Sequence, residues 1–110
     1  MKITTRESYE VLVVDIEGRL DTTTAGYGRD ELALIARGGN KKIVVNLKDL
    51  EYVSSAGLPV LLTAAKLVQA SGGQIKFCEP TDLVKHTLGV SGFNSLLSVY
   101  DSEGEAIKSF

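Results

Sequence analysis

The sequence predicts an α/β domain in which helices pack on a mixed or largely parallel sheet of four to five strands. Segments rich in β-branched residues alternate with segments whose apolar residues recur every three or four positions, and glycine pairs close the helical segments. The 110 residues, 44% of them hydrophobic, have the length and apolar content of one compact domain spanning 1–110. No linker, repeat or low-complexity segment divides the chain.

The first half of the chain begins with strand-like segments. Residues 9–17 are rich in β-branched side chains and lead to Gly18, which predicts a strand followed by a turn. Residues 2–7 predict a weaker strand before it. The capping residues 21–24 then introduce a first helix, which the Gly-Gly-Asn sequence at 38–40 ends.

The second half continues the alternation. Residues 41–47 have a continuous apolar centre, typical of a strand covered on both faces. Residues 74–78 predict another strand, 80–82 open a short helix, and a last apolar cluster lies within 93–100. Between these two strands, apolar residues at helical spacing predict a second helix with one buried face: Leu58, Leu61, Leu62, Ala65 and Val68.

Charge and hydropathy exclude several kinds of protein. A formal net charge of −2 and a pI near 5.3 leave no basic surplus for neutralising phosphates, so no nucleic-acid partner is expected. No apolar run approaches the ~20 residues of a membrane-spanning helix, and residues 1–7 lack the apolar core of a signal peptide. We therefore expect a cytoplasmic protein without a membrane span. The single Cys78 agrees with a reducing compartment.

Two adjacent serines, Ser54 and Ser55, lie where the strand-like region gives way to the second helix. Pro59 has no N–H and is tolerated only about as far as the first helical turn, so the helix cannot begin much before Ala56. This places Ser55 at or just ahead of the helix cap. Its hydroxyl has two interpretations: a cap worth roughly 1 kcal/mol, or an exposed hydroxyl that a kinase can modify.

A phosphate on Ser55 is compatible with this position. It would add about −1.5 to −2 charges at the positive end of the helix dipole, where free N–H groups favour an anion. We therefore expect the fold to tolerate it. A partner surface fitted to a neutral hydroxyl would meet a buried dianion, so the phosphate would act on an interface.

Four segments of the chain fit one family pattern in order and spacing. Residues 49–58, DLEYVSSAGL, follow a strand and lead into an apolar helix. Residues 17–21 end in an aspartate, 71–73 contain a glycine pair after the second helix, and 88–93 contain a late Ser-Gly-Phe element. Together they resemble the anti-sigma factor antagonists of the STAS domain superfamily, over nearly the whole chain.

This resemblance implies a function in a partner-switching pathway. The unphosphorylated protein would bind an anti-sigma factor with serine kinase activity and so free the sigma factor. Phosphorylation at Ser55 would turn binding off, and a phosphatase acting on phospho-Ser55 would restore it. Ser54 stands where the family usually has aspartate and Ala56 where it has a second hydroxyl residue, which leaves Ser55 as the single expected acceptor.

The resemblance also implies the residues of the site. Asp21 matches an acidic residue beside the serine loop, although it is equally compatible with a helix cap. Lys66 fits either a solvated side chain or part of the binding face. The implied partner-binding residues are Asp21, Thr22, Ser54, Ser55, Ala56, Gly57, Leu58 and Lys66.

No catalytic residue, cofactor or metal site is expected. His86 and Cys78 are the only residues of their types, so they provide neither a metal cluster nor a Cys-His pair at ordinary spacing. Ser55 lacks the Gly-x-Ser-x-Gly frame of a hydrolase nucleophile. The alternative function is a STAS module of another assembly, such as a lipid-transport or signalling complex, in which Ser55 only caps the helix.

Overall fold

The computed structural model describes residues 1–110 and contains one mixed sheet with helices on both faces. A short 3-10 turn at Phe93–Ser95 precedes the last strand. In chain order the elements are β1 (Lys2–Ser8), β2 (Val11–Leu20), α1 (Ala25–Ala36), β3 (Lys42–Asn46), β4 (Leu50–Val53), α2 (Leu58–Ala70), β5 (Gln74–Cys78), α3 (Asp82–Val90), β6 (Val99–Tyr100) and α4 (Glu103–Lys108).

The sheet has the order β1-β2-β3-β5-β6, and β4 pairs with the far end of β2. Only β1 is antiparallel to its neighbour; the β2-β3, β2-β4, β3-β5 and β5-β6 pairs are parallel. The predicted α/β class with a mixed sheet is confirmed, and the six strands exceed the four to five expected. None of the four helices combines the length and the apolar content that a membrane crossing requires.

The strand boundaries differ from the prediction at two places in β2. Tyr9 and Glu10 form the turn between β1 and β2, with φ values of 51° and 65°, and are not part of the strand. Gly18 does not end β2. Its φ of 103° lies in the region that favours glycine, and the register of the β2-β4 pair shifts there, so the strand passes through an irregularity and continues to Leu20.

The main core lies between one face of the sheet and helices α1, α2 and α3, and contains 22 buried residues. Side chains of β3 alternate between the two faces: Ile43 and Val45 enter this core, whereas Val44 lies in a small cluster under α4. The predicted coverage of this strand on both faces is therefore confirmed. The predicted buried face of α2 is also confirmed, except that Leu62 is only half-buried.

The parallel pairing of β2 with β4 positions the serine loop. Leu20 at the end of β2 is the register partner of Val53 at the end of β4, so the turns that follow both strands leave the same edge of the sheet. The Ser54 amide donates to the Leu20 carbonyl at 2.9 Å. Gly57 then packs directly on the same residue: a Cβ on Gly57 would lie 2.6 Å from the Leu20 oxygen and 2.7 Å from its Cγ.

The close packing of Gly57 predicts the effect of adding a single methyl group. Gly57→Ala should lower the free energy of unfolding by about 1–3 kcal/mol, because the nearest atom is a backbone oxygen that cannot rotate away. Gly26→Ala is the matched control, since Gly26 is exposed on α1 with nothing within 4 Å of its Cβ position. That change should stabilise by up to about 1 kcal/mol. Urea denaturation of both variants measures the difference, and equal effects would contradict this account.

Candidate functional site

The predicted site residues come from two turns that meet at one edge of the sheet. The first turn, Asp21–Thr24, follows β2; the second, Ser54–Gly57, follows β4. The carboxyl ends of parallel strands in an open α/β sheet are a common location for binding surfaces. The structure therefore brings Asp21 and Thr22 beside Ser54, Ser55 and Ala56, as the sequence predicts for the serine loop and its acidic neighbour.

Ser54 organises the start of α2. Its hydroxyl accepts hydrogen bonds from the amides of Ala56 at 3.2 Å and Gly57 at 3.3 Å. Its carbonyl accepts from Gly57 at 2.9 Å and Leu58 at 3.1 Å. The helix itself begins at Leu58, with Gly57 as the cap residue, two residues later than the limit set by Pro59. Ser54 thus holds the turn in which the helix starts.

Ser55 has a different role from the one that capping predicts. It is exposed, and its hydroxyl makes no hydrogen bond with the rest of the chain, whereas Ser54 is only half-exposed. Of the two interpretations of Ser55, the helix cap is wrong, because the turn between β4 and α2 directs the Ser54 hydroxyl toward the following amides. The Ser55 hydroxyl is left free to meet another molecule.

The first turn of α2 offers no free donors to an anion on Ser55. The amides of Ala56, Gly57 and Leu58 are bonded to Ser54, and Pro59 has no N–H. The expectation that free N–H groups of the first turn would receive a phosphate is therefore wrong for these residues, and only the amide of Ser55 itself has no partner in the loop. Two features still favour a phosphate on Ser55: the dipole of the 13-residue helix and the exposure of the Ser55 side chain to water.

Asp21 stabilises its own turn. Its Oδ1 accepts from the Thr23 hydroxyl at 2.7 Å, the Thr23 amide at 2.9 Å and the Thr24 amide at 3.3 Å. The hydrogen bond from the Thr23 hydroxyl is the largest cause that lowers the pKa of this carboxyl. These bonds close the turn 21–24 and do not cap α1, whose cap residue is Thr24. The Asp21 Oδ2 faces the Arg19 Nε at 3.8 Å. Thr22 is exposed at the tip of the turn.

Arg19 and Tyr52 are neighbours of the site that the sequence does not reveal. The Arg19 guanidinium lies over the Tyr52 ring, 4.5 Å from its centroid, and the two residues are register partners in β2 and β4. Both belong to the segments that resemble the family, which is the only signal for them in the sequence. Their contact depends on β4, which the sequence analysis did not separate from the loop.

The remaining predicted partner-binding residues divide into buried and exposed ones. Gly57 and Leu58 are buried in the free protein and support the loop from below, and a contact with a partner there stays a prediction. Lys66 is exposed about 12 Å along α2 from the helix start. It lies outside the loop but shares an exposed face of α2 with Pro59 and Thr63, at helical spacing.

Residues with metal-binding or nucleophilic chemistry do not assemble elsewhere. No group of three or more His, Cys, Asp or Glu side chains is placed to hold a metal ion. Cys78 is fully buried at the end of β5, and burial raises the pKa of its thiol to about 12. His86 is exposed on α3.

Comparison with known proteins identifies this arrangement. A family model of the STAS domain matches residues 2–106. The anti-sigma F factor antagonist of Paenibacillus polymyxa is 34% identical over 98 residues, which cover 88% of this chain and 84% of that protein. The Bordetella bronchiseptica protein BtrV is 32% identical over 110 residues, covering 100% of this chain and 95% of that protein.

Solved structures show the same fold. The anti-sigma factor antagonist SpoIIAA in its unphosphorylated form superposes with a TM-score of 0.77 at 21% identity, covering 98% of this chain and 95% of that chain. The phosphorylated form of SpoIIAA from Bacillus superposes with a TM-score of 0.69 at 20% identity, covering 98% of each chain. Because the family model matches residues 2–106 of the 110 and two relatives are more than 30% identical, the chain belongs to the STAS domain family.

Proposed function

We propose that this protein is an anti-sigma factor antagonist controlled by phosphorylation of Ser55. In the unphosphorylated form it binds an anti-sigma factor that is also a serine kinase, and thereby frees a sigma factor in the bacterial cytoplasm. The kinase phosphorylates Ser55 and ends the complex, and a phosphatase reverses the change. The relatives named as antagonists support the binding role.

The observation that carries the proposal is the division of roles between the two serines. Ser54 is engaged in four hydrogen bonds through its hydroxyl and carbonyl, whereas the Ser55 hydroxyl is exposed and unbonded. A kinase needs a hydroxyl that it can reach without unfolding its substrate. Ser55 meets that requirement, and modifying it breaks no bond that holds the loop.

The phosphate would act through charge at the surface of the complex. No amide of the first turn is free to receive it, and the Asp21 carboxylate already adds negative charge to the adjacent turn. Arg19 is the nearby cation, shared between Asp21 and the Tyr52 ring. A dianion here stays solvated in the free protein. In a complex it would lose water, and the Ser55 amide is the only amide of the 54–57 loop left unbonded to replace it, so binding would weaken.

The proposed binding surface consists of the exposed members of the predicted site. Thr22, Ser55 and Ala56 form its centre at the edge of the sheet, beside the Asp21 carboxylate. The exposed face of α2 that carries Lys66 extends the surface along the helix. The protein acts in this scheme by binding alone, with the partner supplying the chemistry, so it is not itself an enzyme.

One test of this proposal concerns the modified residue. Incubation with ATP and the cognate kinase should place a single phosphate on Ser55, and Ser55→Ala should abolish it. Ser54→Ala is the matched control: it should lower the free energy of unfolding by about 1 kcal/mol, because two amides lose their acceptor. It should still be phosphorylated at Ser55. Peptide mapping by mass spectrometry checks the site, and a phosphate found mainly on Ser54 or on Thr22–Thr24 would reject the assignment.

A second test separates binding from folding. Ser55→Asp should melt within a few degrees of the parent, because the side chain is exposed and bonded to nothing. It should nevertheless lose about 30-fold or more in affinity for the anti-sigma partner. Ser55→Ala should keep the parent affinity and change stability by less than about 0.5 kcal/mol.

Calorimetric titration of these variants, paired with thermal melts, is the measurement. Gln69→Glu provides the control, since it adds one negative charge at an exposed position near the far end of α2. It should bind like the parent. If Ser55→Asp bound as tightly as the parent, the switch would be rejected. If no kinase modified Ser55 at all, a STAS module of another assembly would be the better description.

A further inference from the structure

The helix α4 lies alone on the face of the sheet opposite α1, α2 and α3. Its only fully buried side chain is Ala106, which packs in a cluster of five with Val11, Val13, Val44 and Cys78. Ile107 and Phe110 are half-buried at the margin of this cluster. We call residues 102–110 the strap, because they cross this strip of the sheet and cover the Cys78 thiol.

The apolar seat of the strap is small. Four buried residues of the sheet form it around Ala106 of the strap, against the 22 that form the main core. A hollow of about 490 Å³, lined by Tyr9, Gly104, Ile107 and Lys108, leaves one flank of α4 without close packing. A helix of six residues does not persist by itself in water, because nucleation is costly and few bonds follow it. Once undocked, the strap would also lose its helical form.

Polar contacts at Glu103 hold the other end of the strap. The Arg6 Nη1 donates to the Glu103 Oε2 at 3.1 Å, and the Arg6 Nη2 donates to Oε1. The buried Asn46 side chain donates to the same Oε1 at 3.0 Å. The Glu103 amide in turn donates to the Glu79 carboxylate at 2.9 Å. Side chains from β1, β3 and the turn after β5 therefore converge on the first residue of α4.

We call these contacts at Glu103 the clamp. Arg6 is the residue on which the clamp depends. Its guanidinium also bonds Asp15, through Nε at 2.8 Å and Nη2 at 3.2 Å, so one cation joins two carboxylates. The hydrogen bond from Arg6 is the largest cause that lowers the pKa of Glu103. Without Arg6, the carboxylates of Asp15, Glu79 and Glu103 would face one another around α4 with no guanidinium between them. Their repulsion would favour a detached strap.

The backbone of Glu79, next to these contacts, is strained. Its φ of 54° lies in the left-handed region, which a residue with a side chain occupies at a cost. This conformation places its carboxylate against the Glu103 amide, and its own amide donates to the Tyr100 carbonyl at 3.0 Å. Release of the strap would break the hydrogen bond from the Glu103 amide to the Glu79 carboxylate, which offsets the cost of this conformation.

We propose that the strap detaches from the sheet as a unit while the remaining fold stays intact, and that the Arg6–Glu103 contact sets how often it opens. Opening uncovers an apolar strip formed by Val11, Val13, Val44 and Cys78. The protein thereby gains a second exposed surface, on the face opposite the main core. This inference is independent of the proposed switch at Ser55.

Cys78 reports the opening directly. It is the only cysteine of the chain and is fully buried in the closed form. A thiol must be exposed and ionised to react with an aromatic disulfide reagent such as DTNB. Labelling of the native protein at constant pH therefore measures the population of the open strap.

The experiment compares the labelling rates of three proteins. Arg6→Ala should label about 10- to 100-fold faster than the parent, because charge-assisted hydrogen bonds at the clamp are lost. Lys2→Ala is the matched control, since Lys2 lies on the same strand, lines with Arg6 and Glu103 a polar cleft on this face of the sheet, and makes no ion pair. It should label within about twofold of the parent. Glu103→Gln keeps a side-chain carbonyl oxygen that can accept from Asn46 but loses the charge, and its labelling rate should fall between those of Arg6→Ala and the parent.

The dependence on urea distinguishes strap opening from global unfolding. Labelling through the open strap should change little with low urea, because little surface becomes exposed. Hydrogen exchange should agree, with the amides of 103–108 exchanging faster than those of β3 in the parent and faster still in Arg6→Ala. If labelling followed the full urea slope of global unfolding, or rose in Arg6→Ala only in proportion to lost global stability, the strap would not be an independent unit.

Discussion

The close approach of Gly57 to Leu20 is the constraint on which the candidate site depends. These residues belong to the turn after β4 and the end of β2, and they leave no room for a Cβ. The contact fixes where the serine loop leaves the edge of the sheet and where α2 begins. The φ of Gly57 is −83°, so glycine is required for space and not for an unusual backbone conformation.

Given that contact, the two serines acquire opposite properties. Ser54 faces the amides of the following residues and satisfies them with its hydroxyl and carbonyl. Ser55, one residue further along the same tight turn, points to solvent and bonds to nothing. The chain thus separates the hydroxyl that maintains the loop from the hydroxyl that is open to chemistry. A modification of Ser55 therefore changes the surface of the protein more than its stability.

The two faces of the sheet are stabilised by different means. One face is closed by three helices over a large apolar core, which favours a single rigid packing. The other face carries a polar cleft of about 480 Å³ without a hydrophobic lining residue, and a short helix held at one end by charged groups. Charged contacts near the surface are screened by salt and contribute little to stability. They are therefore broken more easily than the apolar packing of the main core. Local opening is accordingly expected on this face and not on the other.

Much of the fold was determined by local sequence patterns. The apolar alternation in β3 and the helical spacing in α2 depend only on which side chains must avoid water, so they can be recognised from neighbouring residues. Pro59 limited the start of α2 because its ring restricts the backbone wherever it stands. The segments 49–58 and 17–21 likewise pointed to the family and to Ser55 without any coordinates.

Tertiary structure decided what local patterns do not contain. Strands as short as β4 and β6 carry too few residues for a period, and the pairing of β4 with β2 is what places Arg19 over Tyr52. Which of the two serines holds the turn before α2 depended on the direction of the loop, which Leu20 sets from a distant strand. The Arg6–Glu103 pair joins positions 97 residues apart. Contacts of this kind form only when the whole chain has folded, because they join residues that are far apart in the sequence.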